Sequence, residues 1–244
     1  MIFQDRLDAA AQLAKALDAW RGRNPLVLAI PRGAVPMGAV LAEALGGELD
    51  VVLVHKLGSR WNPEYAIGAV DESGWSIVTD AAEDAVAWLE AEKARRVEQL
   101  RARRALYSPE RAPVDPRGRV VIVVDDGLAT GATMIAALHA VRAQAPQRLI
   151  CALPVAAPDS LANVEPYADE LVCLDKPWGF RAVGQFYRHF DQVEDEEVVA
   201  CLRRFARRAP ASGEPTASGD ASAGGDATAR GESTARGAPT ARGE

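Results

Sequence analysis

The segment VVIVVDDGLATGAT, from Val120 to Thr133, is the stretch of sequence that decides the fold. Its first five residues are all valine or isoleucine, a continuous apolar run typical of a strand buried on both faces of a parallel sheet. Two carboxylates, Asp125 and Asp126, follow at once, and a short glycine-containing loop leads into a predicted helix. Because ligands bind at the carboxyl ends of strands in open α/β sheets, the sequence predicts a functional site at this turn.

The loop after the acidic pair has the features of a phosphate site. Successive backbone N–H groups, together with the first turn of the next helix, form a cup that suits an anion. The residues of this predicted cup are Ala129, Thr130, Gly131, Ala132 and Thr133. Asp125 and Asp126 lie one loop away, where they can accept hydrogen bonds from two vicinal sugar hydroxyls. A phosphate cup beside a diol acceptor predicts a ribose 5-phosphate ligand.

Other interpretations of the acidic pair are weaker. A Walker B pair needs a partner of the form GxxxxGK[ST], and the chain contains neither that motif nor the dinucleotide-binding GxGxxG. The remaining alternative is an ordinary strand-to-helix turn whose aspartates cap the helix.

Outward from this segment, helical and strand signals alternate along the chain. This alternation predicts an α/β fold with a doubly wound, mainly parallel sheet. Strands are predicted at residues 26–30, 50–57, 119–124, 148–155 and 170–174, with a hairpin at 66–70 and 75–78. Helices are predicted at residues 5–20, 36–45, 82–107, 133–144 and 195–207.

The chain divides into a predicted folded domain, residues 1–208, and a C-terminal tail, residues 209–244. Within the domain, the aromatic and irregular stretch 178–193 is predicted to form a small hood subdomain. The tail consists of six hexads with glycine at the fifth place, from APASGE to PTARGE, and it has no large apolar residue to bury. We therefore expect the tail to be disordered.

Composition limits the classes of function. The formal net charge of −6 argues against a surface built to hold nucleic acid, so no nucleic-acid partner is expected. Three cysteines far apart indicate neither a disulfide framework nor a zinc site. The N-terminus does not resemble a signal peptide, and no apolar run approaches the roughly 20 residues that span a bilayer. We expect a cytoplasmic protein without a membrane partner.

The segment from Val120 to Thr133 resembles the motif that binds 5-phosphoribosyl-1-pyrophosphate (PRPP) in type I phosphoribosyltransferases: a hydrophobic strand, two acidic residues and a TGxT loop. The resemblance implies that Asp125 and Asp126 hold the ribose 2′ and 3′ hydroxyls and that residues 129–133 hold the 5′-phosphate. Unlike the purine and pyrimidine salvage enzymes, this sequence has no obvious signature for recognising a base.

Two upstream matches occur in the order that the family requires. The sequence PRGA at residues 31–34 resembles the short pyrophosphate loop, which implies pyrophosphate contacts from Arg32 and Gly33. Lys56 matches a basic position that contacts the pyrophosphate, and Arg60 is expected to add positive charge from a mobile loop at 58–66. Glu64 and Tyr65, in the same loop, are expected to face the ligand.

The implied activity is transfer of a 5-phosphoribosyl group from PRPP to a small-molecule acceptor with release of pyrophosphate, a nucleobase being one candidate acceptor. The catalytic candidates are Asp125, Asp126 and Lys56. The implied cofactor is Mg²⁺, held through PRPP rather than by a dedicated protein site, with Asp125 as the one candidate ligand. A non-catalytic PRPP sensor and a hydrolase or phosphorylase of a phosphorylated ribose remain alternatives, and the oligomeric state, a homo-oligomer included, stays open.

Overall fold

A computed structural model describes residues 1–61, 66–78, 86–109 and 111–206. Glu64, Tyr65 and the predicted tail at 209–244 lie outside these ranges, so the expectations for them remain predictions. The strands of the described chain are β1 (Leu26–Ala29), β2 (Glu48–Val51), β3 (Val54–Gly58), β4 (Ala66–Asp71), β5 (Ser76–Val78), β6 (Val120–Val124), β7 (Arg148–Val155) and β8 (Glu170–Asp175). The helices are α1 (Arg6–Ala16), α2 (Val35–Leu45), α3 (Val86–Tyr107), α4 (Ala132–Arg142), α5 (Pro158–Val164) and α6 (Asp195–Ala206).

Five strands form the central sheet, in the order β2-β1-β6-β7-β8, and every pair in it is parallel. Alternate residues of a strand point to opposite faces, so each face has its own apolar cluster. Val27 and Ile122 pack on the face that carries α1, α2 and α6. Leu28 and Val123 pack on the other face, with α4 and α5. The predicted doubly wound α/β fold is confirmed.

The ends of the first two helices follow from local sequence. Asp5 caps α1, because its side chain accepts a hydrogen bond of 2.9 Å from the Asp8 backbone amide. Pro36 stands in the first turn of α2, where its missing N–H is not needed. Gly46 ends α2 in the left-handed region, with φ of 68°. These signals place α2 so that it begins directly after the loop that follows β1.

The single strand predicted at residues 50–57 is wrong, because the chain makes two strands there. β2 ends at Val51 in the parallel sheet, and β3 begins at Val54 in a separate antiparallel sheet of order β3-β4-β5. The predicted hairpin at 66–78 forms the other two strands of this small sheet. The sequence did not indicate that the chain changes sheets here, because the apolar residues continue without a break. Lys56 therefore belongs to the small sheet.

Arg104 of α3 joins the two sheets where the chain passes between them. Its guanidinium donates to Asp50 Oδ1 at 2.6 Å, to the Val51 carbonyl at 2.9 Å and to Glu72 Oε2 at 2.8 Å. The Arg104 side chain is 11% exposed and that of Asp50 only 3%. This buried ion cluster fixes the small sheet, and with it β3, relative to the end of β2.

Among the described residues, no helix combines the length and apolar character needed to cross a membrane.

Candidate active site

Three of the segments that the sequence predicted to be functional meet at the carboxyl edge of the parallel sheet. β1 and β6 are neighbours, with Ala29 paired to Val124, so the loops that follow them begin about 4.8 Å apart. The loop at 31–34 then turns over the acidic pair. A Cβ built on Gly33 would lie 2.2 Å from Asp126 Oδ2. The structure thus brings the predicted pyrophosphate loop into contact with the predicted sugar site.

The two carboxylates are each held by one oxygen. Asp125 Oδ1 accepts from the Asp126 backbone amide at 2.9 Å, and Asp126 Oδ2 accepts from Arg6 Nε at 2.8 Å. The other two oxygens, Asp125 Oδ2 and Asp126 Oδ1, accept no hydrogen bond from any described residue, and neither is sealed from solvent. The pair therefore presents two acceptor atoms to a ligand.

The charges of this pair are poorly compensated. Burial, followed by the neighbouring charge of Asp126, holds the pKa of Asp125 well above its usual range. Burial also raises the pKa of Asp126, although its bond to Arg6 opposes that shift. The Arg6 guanidinium is one positive charge beside two half-buried carboxylates, so part of their negative charge is uncompensated. Hydrogen bonds donated by the hydroxyls of a ligand would stabilise the charged carboxylates.

The loop of residues 129–133 lies directly after the acidic pair and opens α4. Gly131 caps that helix in the left-handed region, with φ of 83°, and its carbonyl accepts from the Ile135 amide at 2.9 Å. The first amides of a helix have no acceptor inside it, and no backbone carbonyl of the described chain accepts from those of residues 129–133. Thr130 and Thr133 are exposed. The geometry is that of an open anion cup.

Two contacts with the part of the chain that follows β7 hold this cup in place. Leu128 pairs with Ala156 in a short parallel bridge beyond the end of β7, with bonds of 3.0 Å to Val155 and Ala157. The Ser160 hydroxyl donates to the Ala129 carbonyl at 2.6 Å, so this carbonyl is already engaged. Sequence reasoning did not identify Ser160, because it belongs to α5, 31 residues after Ala129.

The predicted pyrophosphate contacts are less tightly organised. Arg32 follows a cis peptide bond from Pro31, and its guanidinium is 3.4 Å from Glu194 Oε2. Lys56 is half-buried on β3, opposite Ala69. Arg60 is exposed, with its guanidinium 5.1 Å from the centre of the Trp61 ring. Their assignment to the pyrophosphate stays a prediction.

Arg6 is the site residue that sequence reasoning missed. Besides its bond to Asp126, it donates from Nη1 to the Asp191 carbonyl at 2.6 Å and lies 3.8 Å above the centre of the Phe190 ring. Tyr187 lies in the predicted hood, but its contact with the site was not predicted: its hydroxyl donates to the Asp126 carbonyl at 2.6 Å. The sequence held no signal for either contact, because these residues are distant along the chain and meet only in the folded domain.

The aromatic residues of the 178–193 stretch serve different purposes. Phe186 and Tyr187 are buried, and Phe180 packs on Phe186 with ring centres 5.2 Å apart. Phe190 supports Arg6. Trp178 is 92% exposed and follows closely after the carboxyl end of β8. Of the five Trp, Phe and Tyr rings in this stretch, Trp178 is the most exposed.

No group of three or more histidine, cysteine, aspartate or glutamate side chains within the described ranges is arranged to hold a metal ion. The two unengaged carboxylate oxygens of Asp125 and Asp126 are nevertheless the hard donors that Mg²⁺ prefers. The site thus fits an ion that takes most of its ligands from a bound phosphate compound and water.

Comparison with known proteins agrees with this geometry. The phosphoribosyl transferase domain family matches residues 2–186. Two relatives from Mycobacterium tuberculosis, each named "putative phosphoribosyl transferase", are 41% identical over 218 residues, which cover 87% of this chain and 49% of each relative. The chain thus spans about half the length of these curated relatives. The crystal structure of TT1426 from Thermus thermophilus superposes with a TM-score of 0.78 at 43% identity, covering 84% of this chain and 99% of that one.

Proposed function

This chain belongs to the phosphoribosyltransferase family, and we propose that it transfers the 5-phosphoribosyl group of PRPP to a small-molecule acceptor and releases pyrophosphate. One observation carries the proposal. Two unengaged carboxylate oxygens, Asp125 Oδ2 and Asp126 Oδ1, stand next to an open cup of backbone amides at residues 129–133. This is an arrangement for a vicinal diol beside a phosphate.

In the proposed complex, each free carboxylate oxygen accepts one ribose hydroxyl. The 5′-phosphate binds in the cup, where backbone N–H groups and the positive end of α4 favour an anion. Thr130 and Thr133 add hydroxyl donors at the rim. These contacts fix the sugar at both ends, so that C1′ faces the open side of the carboxyl edge.

In the proposed reaction, the bond between C1′ and the pyrophosphate oxygen breaks with its electron pair leaving on pyrophosphate. The acceptor nucleophile forms its bond to C1′ from the opposite side and loses its proton. Arg32, Lys56 and Arg60 supply positive charge to the departing group. Asp125 is the protein carboxylate proposed to hold Mg²⁺, which when bound would supply further charge neutralisation at the pyrophosphate.

The proposed acceptor site lies under the 178–193 hood. Trp178 follows the carboxyl end of β8, which is two strands, about 10 Å, from β6. Its exposed ring offers a stacking surface for a planar acceptor such as a nucleobase. Loss of acceptor affinity without loss of PRPP affinity in Trp178→Ala would support this placement.

The test is release of pyrophosphate from PRPP and Mg²⁺ in the presence of a panel of nucleobases. Turnover that depends on one acceptor supports the transferase. Asp126→Asn should abolish it, whereas Asp115→Asn should not, because Asp115 is an exposed carboxylate outside the site whose bond is to the Arg117 backbone amide at 2.9 Å. PRPP binding without turnover on any acceptor would instead select the sensor. Calorimetry that detects no PRPP binding would reject the proposal.

A further inference from the structure

We propose that Arg6 is a positioning residue of the sugar site, which aims Asp126 so that one of its oxygens faces the ligand. The inference rests on the proposed function, because it concerns how the diol acceptors are held. It adds to that function a residue from the N-terminal end of the chain, far in sequence from the motif at 120–133.

The geometry of Arg6 leaves it little freedom. Its Nε bonds Asp126 Oδ2 at 2.8 Å, its NH1 bonds the Asp191 carbonyl at 2.6 Å, and its planar face lies on the Phe190 ring. The Arg6 side chain is only 13% exposed and that of Asp126 only 16%. A guanidinium held on three sides is a fixed donor, and a fixed donor sets the rotation of the carboxylate that it binds.

Asp126 is oriented from a second direction as well. The Tyr187 hydroxyl donates to its backbone carbonyl at 2.6 Å. Both of these contacts lie beside a clasp between the N-terminal segment and residues 186–188, in which the Phe3 amide donates to the Phe186 carbonyl at 2.8 Å and the Arg188 amide to the Phe3 carbonyl at 2.9 Å. The clasp thus places Arg6 and Tyr187 on opposite parts of the same aspartate.

Loss of Arg6 should therefore affect the binding of the ligand's hydroxyls rather than the binding of its phosphate. With Oδ2 occupied by Arg6, Oδ1 is the oxygen of Asp126 left for a hydroxyl. Without Arg6, the carboxylate can turn, and it stands next to Asp125 with no ion pair to any other residue that the structure describes. The cup at residues 129–133 has contacts of its own with Ala156 and Ser160, so it should keep its shape.

The experiment measures binding to the full chain by titration calorimetry, with ribose 5-phosphate and with ethyl phosphate, an ester that has no diol. We expect Arg6→Met to weaken ribose 5-phosphate by about tenfold or more, the effect of losing a charged hydrogen bond. Affinity for ethyl phosphate should stay within about twofold. Arg6→Lys, which keeps the charge, should recover part of the loss. Arg21→Met is the matched control, because Arg21 also pairs with an aspartate, at 2.7 Å, but on the exposed surface.

Each outcome bears on the inference. Equal loss of both ligands in Arg6→Met would overturn it, since Arg6 would then serve only the general integrity of the site. Unchanged ribose 5-phosphate affinity would overturn it as well. If Arg6→Met does not fold, Tyr187→Phe gives the same comparison and should show a smaller loss confined to the sugar. If the unmodified chain itself fails to prefer ribose 5-phosphate over ethyl phosphate, the proposed function fails and this inference fails with it.

Discussion

Gly33 and Asp126 are in contact although they follow different strands: a Cβ on Gly33 would stand 2.2 Å from Asp126 Oδ2 and 3.2 Å from Arg6 Nε. Real Cβ atoms do not come so close to another heavy atom. Glycine is therefore required here by the neighbouring ion pair, in addition to any role of its amide in binding pyrophosphate.

Gly33→Ala should consequently disturb the sugar site. The added methyl group must push Asp126 away from Arg6, and we expect ribose 5-phosphate or PRPP affinity to fall by about tenfold, on the scale of one lost charged hydrogen bond. Gly38→Ala is the control, since its Cβ would meet Leu49 at 2.8 Å inside the core of the domain. That variant should lower the melting temperature and leave ligand affinity unchanged. Similar affinity losses in both variants would contradict the assignment.

Asp125→Asn should stabilise the ligand-free protein at neutral pH while it abolishes binding. Burial and Asp126 raise the pKa of Asp125 from its ordinary value of 3.8. Because the pKa of Asp125 is higher in the folded state, protonated Asp125 contributes its full stability below pH 3.8. That contribution is lost as the pH rises through the raised pKa of the folded state. Asparagine removes the charge and keeps an oxygen for the Asp126 amide. We therefore expect a higher free energy of unfolding at neutral pH.

The pH dependence distinguishes this cause from better packing. The difference in unfolding free energy between Asp125→Asn and the unmodified chain should shrink as the pH is lowered, because both then carry a neutral side chain. Urea titrations between pH 8 and pH 5 measure it. A gain that does not change with pH would show that the charge is not responsible.

Arg104→Met should destabilise the fold strongly. Removing this guanidinium leaves Asp50 buried without a counter-charge, a change that costs about 3–5 kcal/mol in buried pairs. Arg95→Met provides a control on the same helix, because Arg95 pairs with Glu92 at 2.8 Å but is itself 54% exposed. The urea midpoint of Arg95→Met should be close to that of the unmodified chain. If the two variants unfold alike, the buried cluster does not hold the sheets together as described.

Acidification should weaken the region around Lys56 through His55. The Arg96 guanidinium can only donate, so at 2.9 Å it makes His55 Nε2 an acceptor, and Nδ1 therefore donates to the Lys56 carbonyl at 2.7 Å. Burial lowers the pKa of His55 from 6.5. A lowered native pKa gives stability that is present above 6.5 and is lost as the pH falls towards the lowered value.

The measurement for this prediction is the slope of unfolding free energy against pH between 7 and 5. His55→Phe removes the titrating ring and should flatten part of that slope, whatever it does to absolute stability. Burial also lowers the pKa of His139, so this residue likewise contributes stability that is lost as the pH falls. Identical slopes in the variant and the unmodified chain would exclude His55 as a source.

Local patterns predicted most of the fold, and the reasons are visible in particular residues. The apolar run at 120–124 is buried on both faces, and the loop at 129–133 leads from it into a helix as predicted. The division of residues 50–57 between two sheets was not predictable, because it depends on Arg104, some 50 residues away, reaching the backbone at Val51. Arg6 escaped notice for the same reason.

The clasp between Phe3 and residues 186–188 has a consequence for the order in which the protein matures on the ribosome. Arg6 is synthesised before its partners, and the carbonyl of Asp191 that anchors it is 185 residues further along the chain. Asp126, 120 residues after Arg6, must likewise wait until Arg6, which binds it, has gained the support of the Phe190 ring. A nascent chain that already contains the whole motif at 120–133 should therefore lack a finished sugar pocket until translation has passed the segment around Phe186 to Asp191.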